Sequence, residues 1–298
     1  MKPALPLLLR LVLLVCAGGL WQATPAAAQA YPCPGPGPGE VMVGMTPGGN
    51  GVAPVPLCAR VDDAEPEPAP VDTVAAIAWH PDAADVWVDG RYTGKGTAVG
   101  VALDACNRAM GGGCSSTGEW WNSTMAIIRD NRGDLLSAWQ GNGGAEGKRV
   151  LADCAARQLL PCEVIGKYSS ATDRHVPGAR ARKAYLAAAW VKSAEGYDSK
   201  LYIVSGRPNA EDAAQAAVQA CQRATGRECA IADWSGSGFI QPIVVDGGES
   251  LVVETSSKRA RDAAKVKCKR DKSKLCQLQQ QYSAREPGTF VHDYKAGK

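Results

Sequence analysis

Cysteine is the residue type whose number and spacing point most clearly to chemistry in this chain. Its 298 residues include eleven cysteines but three histidines. Four pairs share the spacing C-x7-C: Cys106 and Cys114, Cys154 and Cys162, Cys221 and Cys229, and Cys268 and Cys276. Structural zinc sites favour pairs two to four residues apart, usually with histidine, and redox catalysts use C-x-x-C. Neither pattern occurs, so we predict structural disulfides and no metal site or cofactor.

The fifth pair, Cys33 and Cys58, flanks a Pro/Gly-rich segment, which we predict to be a leader closed by its own disulfide. A bond within each C-x7-C would tie the end of one element to the start of the next, and closing so short a loop contributes roughly 2–3 kcal/mol. Pairing of Cys106 with Cys154 and of Cys114 with Cys162 is the alternative that the spacing leaves open.

The first thirty residues have the features of a secretory signal peptide. Lys2 and Arg10 carry positive charge, residues 11–20 are apolar, and Ala28-Gln29-Ala30 fits the small-x-small cleavage rule. A transmembrane anchor and lipidation at Cys16 are the alternatives. Cleavage leaves a mature chain with an even number of cysteines and no transmembrane segment, so we expect a periplasmic or secreted protein.

The cysteines must be positioned by helices and strands. Between Asn209 and Cys221, alanines recur on one face of a 3.6-residue period, with Asn209 as the N-cap and Gly226 at the end. An equivalent helix is predicted over residues 97–110. Strand pairs flank the turns at residues 131–133 and 246–248, which favours antiparallel pairing.

Equal offsets indicate an internal duplication. Cys106 and Cys221 are 115 positions apart, and Cys154 and Cys268 are 114 apart. We predict an α+β fold of two tandem domains, each an antiparallel sheet with two helices on one face. The predicted segments are a signal peptide (1–30), a leader (31–58), an acidic Pro-rich linker (59–72), a first repeat (73–170), a basic linker (171–183), a second repeat (184–284) and a tail (285–298).

These features resemble a family of small secreted bacterial domains of unknown function. The resemblance lies in the alanine-rich helix, the C-x7-C after it and the preceding Ala-Ile-Ala-Trp strand. It covers residues 74–170 and, less clearly, 184–284. The family has no established catalytic residues, so the resemblance implies export by bacteria and no particular reaction.

Two surfaces are candidates for partner binding. Residues 258–274 contain nine lysines and arginines, among them Lys265, Lys269 and Arg270. Such a stripe is typical of contact with anionic lipid, wall polymer or an acidic protein, and its alternative is a solvated helix face. Trp120 and Trp121 are candidate anchors for a glycan or protein, with core packing as the alternative. Nucleic acid is not expected as a partner, because an exported protein is separated from cellular nucleic acid and no aromatic residues accompany the charges.

No catalytic motif is present. His80, His175 and His292 lie near no nucleophile motif, and Asp130, Asp134 and Glu163 are interpreted as turn and surface residues. We therefore expect a non-catalytic binding protein of the cell envelope, for example an inhibitor or immunity-type protein that acts on a wall-degrading enzyme. The alternatives are a cell-wall hydrolase with a carboxylate pair and a structural or stress-related envelope protein.

Overall fold

The computed structural model describes residues 30–49, 51–60, 71–141, 144–171, 173–178, 181–192 and 199–295. The predicted signal peptide, apart from residue 30, and most of the predicted acidic linker lie outside the described residues. The chain divides into two compact units, residues 1–70 and 71–298. Within the described part of the chain, none of the helices has the length and apolar character needed to cross a membrane.

The first unit contains a small antiparallel sheet. Its strands are β1 (Tyr31–Pro32), β2 (Glu40–Met45) and β3 (Pro56–Arg60), in the order β1-β3-β2. The disulfide between Cys33 and Cys58 closes the segment. The Pro/Gly-rich leader therefore contains regular strands as well as its disulfide.

The described residues of the second unit form four helices and most of the strands. The helices are α1 (Thr97–Met110), α2 (Ala145–Ala155), α3 (Ala210–Thr225) and α4 (Ser257–Arg270). The strands before the middle of the unit are β4 (Val74–Trp79), β5 (Trp87–Tyr92), β6 (Ser115–Trp121), β7 (Thr124–Arg129), β8 (Leu135–Trp139), β9 (Glu163–Ser169) and β10 (Arg174–His175). Those after it are β11 (Tyr185–Val191), β12 (Lys200–Arg207), β13 (Cys229–Gly236), β14 (Phe239–Val245), β15 (Gly248–Glu254), β16 (Cys276–Leu278), β17 (Tyr282–Ser283) and β18 (Gly288–Asp293).

Residues 74–175 form four layers, which we call the first sandwich. One antiparallel sheet has the order β10-β5-β4-β6 and the other the order β8-β7-β9. The two sheets face each other through Ile77, Trp120 and Ile127, among others. Helix α1 covers the outer face of the first sheet through Ala98 and Ala102, and α2 covers the outer face of the second.

Residues 185–294 form the second sandwich with the same order of elements, except that two short strands, β16 and β17, stand where the first sandwich has β9. Its sheets are β13-β11-β12-β18 and β15-β14-β16, with β17 also paired to β14. The facing surfaces meet through Leu201, Ile203 and Ile240, among others. Helix α3 covers the outer face of the first sheet, and α4 covers that of the second.

The prediction of an antiparallel α+β fold is confirmed, but the arrangement of one sheet with two helices on one face is wrong. Each half has two facing sheets, and each sheet carries one helix. The reason lies in strands such as β4, which is buried on both faces. Ala76 and Ala78 meet α1, while Ala75 and Ile77 meet the other sheet. A strand that is apolar on both faces requires a layer on each side.

Each C-x7-C forms a local disulfide. The bonds are Cys106–Cys114, Cys154–Cys162, Cys221–Cys229 and Cys268–Cys276, with Cα atoms 6.0–6.1 Å apart. In each case the first cysteine lies on a helix and the second starts or precedes a strand. The pairing of Cys106 with Cys154 and of Cys114 with Cys162 does not occur.

Both segments that follow the repeats contribute strands. β10 lies in the predicted basic linker and pairs with β5. β18 lies in the predicted tail and pairs with six residues of β12. These pairings extend each sandwich beyond the limits drawn from the sequence, because the edge strand of each large sheet comes last in the chain.

Candidate functional site

The basic stripe of residues 258–274 lies mainly on α4. Ser256 caps this helix by accepting a hydrogen bond from the backbone amide of Arg259. Its inner face is made of small residues: Ala260, Ala263, Ala264 and Cys268. Since small residues occupy the inner face, most of the long cationic side chains lie at the other positions and project from the outer face.

The three residues predicted from this stripe lie together on that outer face. Lys265 has 69% of its side chain exposed, Arg270 has 64%, and Lys269 is also exposed. Lys265 contacts Asp262 at 3.7 Å, and Arg270 contacts Asp271 at 3.6 Å. Pairs in open solvent are weak because water screens them. We call Lys265, Lys269 and Arg270 the basic face of α4.

The two aspartates on α4 and at its end are held ionised by neighbouring lysines. A hydrogen bond from Lys258 lowers the pKa of Asp262, and one from Lys267 lowers the pKa of Asp271. Both bonds are i,i+4 pairs of 2.8 Å. The cations still outnumber the two carboxylates, so the outer surface keeps a positive charge.

The predicted tryptophan pair is divided between core and surface. Trp120 is 3% exposed and belongs to the core between the two sheets, whereas Trp121 is 42% exposed. Successive side chains of a strand point to opposite faces. Lys95 lies 5.7 Å from the centre of the Trp121 ring. Trp121 is in the first sandwich and the basic face of α4 is in the second.

Three carboxylates singled out in the sequence have structural partners. Asp130 accepts backbone hydrogen bonds from Arg132 and Asp134 within the β7–β8 turn. Asp134 accepts a hydrogen bond of 3.3 Å from the buried Lys183 ammonium. Glu163 accepts hydrogen bonds from Thr255 at 2.7 Å and from Arg129 at 3.0 Å.

One further carboxylate, Glu254, was not singled out in the sequence. It is 1% exposed, and its Oε2 accepts a hydrogen bond of 2.8 Å from Arg259, whose Nε is also 3.8 Å from Glu163. Burial raises the pKa of Glu254, and the Arg259 hydrogen bond opposes that shift. Burial also acts to raise the pKa of Glu163, but hydrogen bonds from Thr255 and Arg129 outweigh it, so that pKa is lowered.

The three histidines have different partners. His175 contacts Asp85 at 3.0 Å, and His80 accepts a hydrogen bond from the backbone amide of Asp82. His292 is 7% exposed, and burial lowers its pKa. Across the described ranges, no three His, Cys, Asp or Glu side chains are grouped closely enough to hold a metal ion.

A cavity of about 400 Å³ opens at the β8 edge of the first sandwich, between the two sheets and reaching Val150 of α2. We call it the inter-sheet cavity. Its apolar lining includes Ile77, Trp79, Val86, Ile127, Leu135 and Val150. The sequence does not predict this cavity, because its lining residues are indistinguishable from ordinary core residues. A sequence signal does exist: aromatic residues at 290 and 294 end the second sandwich, while no aromatic residue lies between His175 and Tyr185.

Comparison with known proteins supports an uncharacterised domain in the first half of the chain. A family model described as a domain of unknown function (DUF4189) matches residues 74–169. The match runs from the first residue of β4 to the last residue of β9, so it spans nearly all of the first sandwich. No curated protein and no solved structure matches the chain. By sequence, this part of the chain is therefore similar to DUF4189 domains, whose description names no activity.

Proposed function

We propose that the chain is an exported, non-enzymatic binding protein of the bacterial cell envelope. The observation that carries this proposal is the basic face of α4, where Lys265, Lys269 and Arg270 project into solvent. A dense positive surface attracts anionic groups at a range set by the ionic strength. Its partner is an anionic envelope component, either a wall polymer or an acidic protein such as a wall-degrading enzyme that this protein inhibits.

Export is supported by the disulfides. Five disulfides form from ten cysteines in the described residues, and such bonds persist in oxidising compartments. The signal peptide proposed for residues 1–30 supplies the route. We place the mature protein in the periplasm or outside the cell.

The two sandwiches are proposed to be tandem copies of one domain. They share the order of strands and helices apart from β16 and β17 in place of β9, and each helix carries the first cysteine of a C-x7-C disulfide. Corresponding cysteines recur at offsets of 114 and 115 residues. Duplication gives two copies of one scaffold whose surfaces can differ. The second copy carries the basic α4, and the first carries the exposed Trp121.

Binding is tested with the oxidised, full mature chain. The variant K265E/K269E/R270E reverses the charge of the basic face of α4. It should bind purified peptidoglycan sacculi at least tenfold more weakly than the native chain, since each cation near an anionic surface contributes about 1 kcal/mol. Co-sedimentation at low and high salt measures the loss.

The control reverses two exposed cations on α2, in the variant K148E/R149E. This variant should bind as the native chain does, because its charges lie on a helix of the first sandwich. Equal loss in both variants would indicate a general charge effect and would count against the basic face of α4 as the binding surface.

The alternative of a cell-wall hydrolase has one observation in its favour. Glu163 and Glu254 have opposite pKa shifts and both contact Arg259, as an acid and a base would. Arg259 lies between them and also donates to the Pro161 carbonyl, which supports a structural role for the pair. Release of soluble fragments from peptidoglycan by the native chain, abolished in Glu254→Gln, would favour the hydrolase.

A further inference from the structure

The inter-sheet cavity reaches from the surface into the core of the first sandwich. It extends to Ile77 and Ile127, each 1% exposed, and its lining also includes the exposed Thr117. A space of about 400 Å³ falls within the range of small-molecule sites. A mainly apolar lining with a few polar groups, here Thr117 and Ser137, is typical of sites that bind small molecules.

The second sandwich allows a direct comparison at the same place. Trp79 and Trp190 occupy equivalent positions. Trp79 pairs with Ser115, which follows Cys114, and Trp190 pairs with Ala230, which follows Cys229. Val86 and Leu201 are also equivalent. Val86 precedes Trp87, which pairs with Ala78. Leu201 precedes Tyr202, which pairs with Ala189. The walls of the two inter-sheet spaces therefore correspond strand by strand.

In the second sandwich, this space is filled by a tyrosine. Tyr294 is 1% exposed and belongs to the hydrophobic cluster that contains Leu201 and packs against Trp190. Its hydroxyl donates a hydrogen bond of 2.8 Å to the carbonyl oxygen of Ser250. Ser250 pairs with Ile243, which faces α4. Leu136 of the first sandwich pairs with Ile128, which faces α2, so the two positions correspond.

Among the described residues of the first sandwich, none takes the place of Tyr294, and its last strand is short. β18 pairs with six residues of β12, and Tyr294 follows it directly. β10 pairs with two residues of β5. The next aromatic residue after His175 is Tyr185, which already belongs to β11. The inter-sheet cavity is thus the place that the second sandwich fills with a phenol ring.

We propose that the inter-sheet cavity binds a small aryl ligand, a phenol, in the way that the second sandwich holds the Tyr294 ring. Trp79 provides an aromatic surface for offset or edge contact, and Ile77, Val86 and Ile127 provide apolar walls. The hydroxyl would donate to the carbonyl of Leu136, the counterpart of the Ser250 carbonyl. This site is separate from the basic face of α4 and does not depend on the function proposed for that face.

The test titrates 4-methylphenol, which has the shape of a tyrosine side chain, into the oxidised full mature chain. Amide and methyl resonances of the residues around Ile77 and Val150 should shift saturably with one equivalent. 4-Methylcyclohexanol, which has the same size and hydroxyl but no ring current or π face, should bind about 2- to 10-fold more weakly. Equal affinity of the two probes, or no saturable binding, would overturn the proposal.

Two variants locate the site. Ser137→Phe places a ring in the cavity from β8, at the position that Leu251 holds in the second sandwich, and should abolish binding. Tyr294→Ala opens the counterpart space and should lower the Tm. This variant should bind a second equivalent of 4-methylphenol, and the bound ligand should restore part of the Tm. Binding that persists unchanged in Ser137→Phe would place the ligand elsewhere and contradict the proposal.

The variant K265E/K269E/R270E separates this inference from the function proposed above. It should bind 4-methylphenol with the affinity of the native chain. Loss of envelope binding with retained phenol binding is the expected result, and loss of phenol binding in this variant would show that the cavity is not the site.

Discussion

At the scale of single residues, His292 carries a charge state that the fold controls. It is 7% exposed, with its ring between the Tyr282 hydroxyl and the Gln279 side chain. Burial lowers its pKa in the folded state, although nearby Asp293 opposes the shift. The unfolded chain, with a histidine pKa of about 6.5, therefore takes up a proton at higher pH than the folded chain. Folding stability should fall as the pH drops below about 6.5 toward the lowered pKa.

We predict that His292→Gln makes the Tm less dependent on pH between 7 and 5. The glutamine stays neutral, so the proton uptake of the unfolded state at this position is removed. One proton contributes at most about 1.4 kcal/mol per pH unit. Thermal melts followed by circular dichroism at several pH values measure the slope. Tyr282→Phe is the control and should keep the native slope, because burial and not the hydroxyl is the main cause; identical slopes in His292→Gln and the native chain would refute this explanation.

At the scale of elements, α3 is held at both ends by different devices. Asn209 accepts a hydrogen bond from the Asp212 amide at the first turn, and the Cys221–Cys229 disulfide ties the last turns to β13. A cap contributes about 1 kcal/mol, and a disulfide contributes about 2–4 kcal/mol. The two devices act on opposite ends, so their removal should affect different amides.

We predict that Cys221→Ala with Cys229→Ala accelerates hydrogen exchange mainly in the C-terminal turns of α3 and at the start of β13. Asn209→Ala should accelerate exchange mainly in the first turn. Hydrogen exchange measured by NMR at a temperature well below the melting transition resolves the two patterns. The same exchange pattern in both variants would show that α3 opens as a single unit and that neither device acts locally.

These helices illustrate what the sequence determines locally. The spacing of Ala213, Ala217 and Cys221 identifies the buried face, and Asn209 and Gly226 mark the ends, so α3 was predicted almost to the residue. The facing sheets were not predicted, because an all-apolar strand such as β4 does not reveal what covers each face. The inter-sheet cavity was missed for a similar reason: it depends on how far β10 continues beside β5, which is a nonlocal pairing.

At the scale of the whole second unit, the β7–β8 turn of the first sandwich contacts the end of β13 in the second. The carbonyl of Arg132 accepts hydrogen bonds from the Gly236 amide and the Ser235 hydroxyl, and its guanidinium lies 2.9 Å from Asp233. Gly133 has a φ of 89°, and a Cβ added there would collide with the carbonyl oxygen of Gly236. This close backbone approach couples the two sandwiches.

We predict that Gly133→Ala separates the unfolding of the two sandwiches. A non-glycine residue in the left-handed region costs about 1–2 kcal/mol, and overpacking against Gly236 adds about 1–3 kcal/mol. Gly247→Ala is the matched control: Gly247 has a φ of 87° in the corresponding turn, but an added Cβ there meets nothing within 4 Å. Differential scanning calorimetry should show one transition for the native chain and for Gly247→Ala, and two for Gly133→Ala. If both variants only lower the Tm of a single transition by the same amount, the turn at Gly133 does not couple the sandwiches, and other contacts between them, such as the Tyr185–Asp82 hydrogen bond and the Arg259–Glu163 pair, carry the coupling.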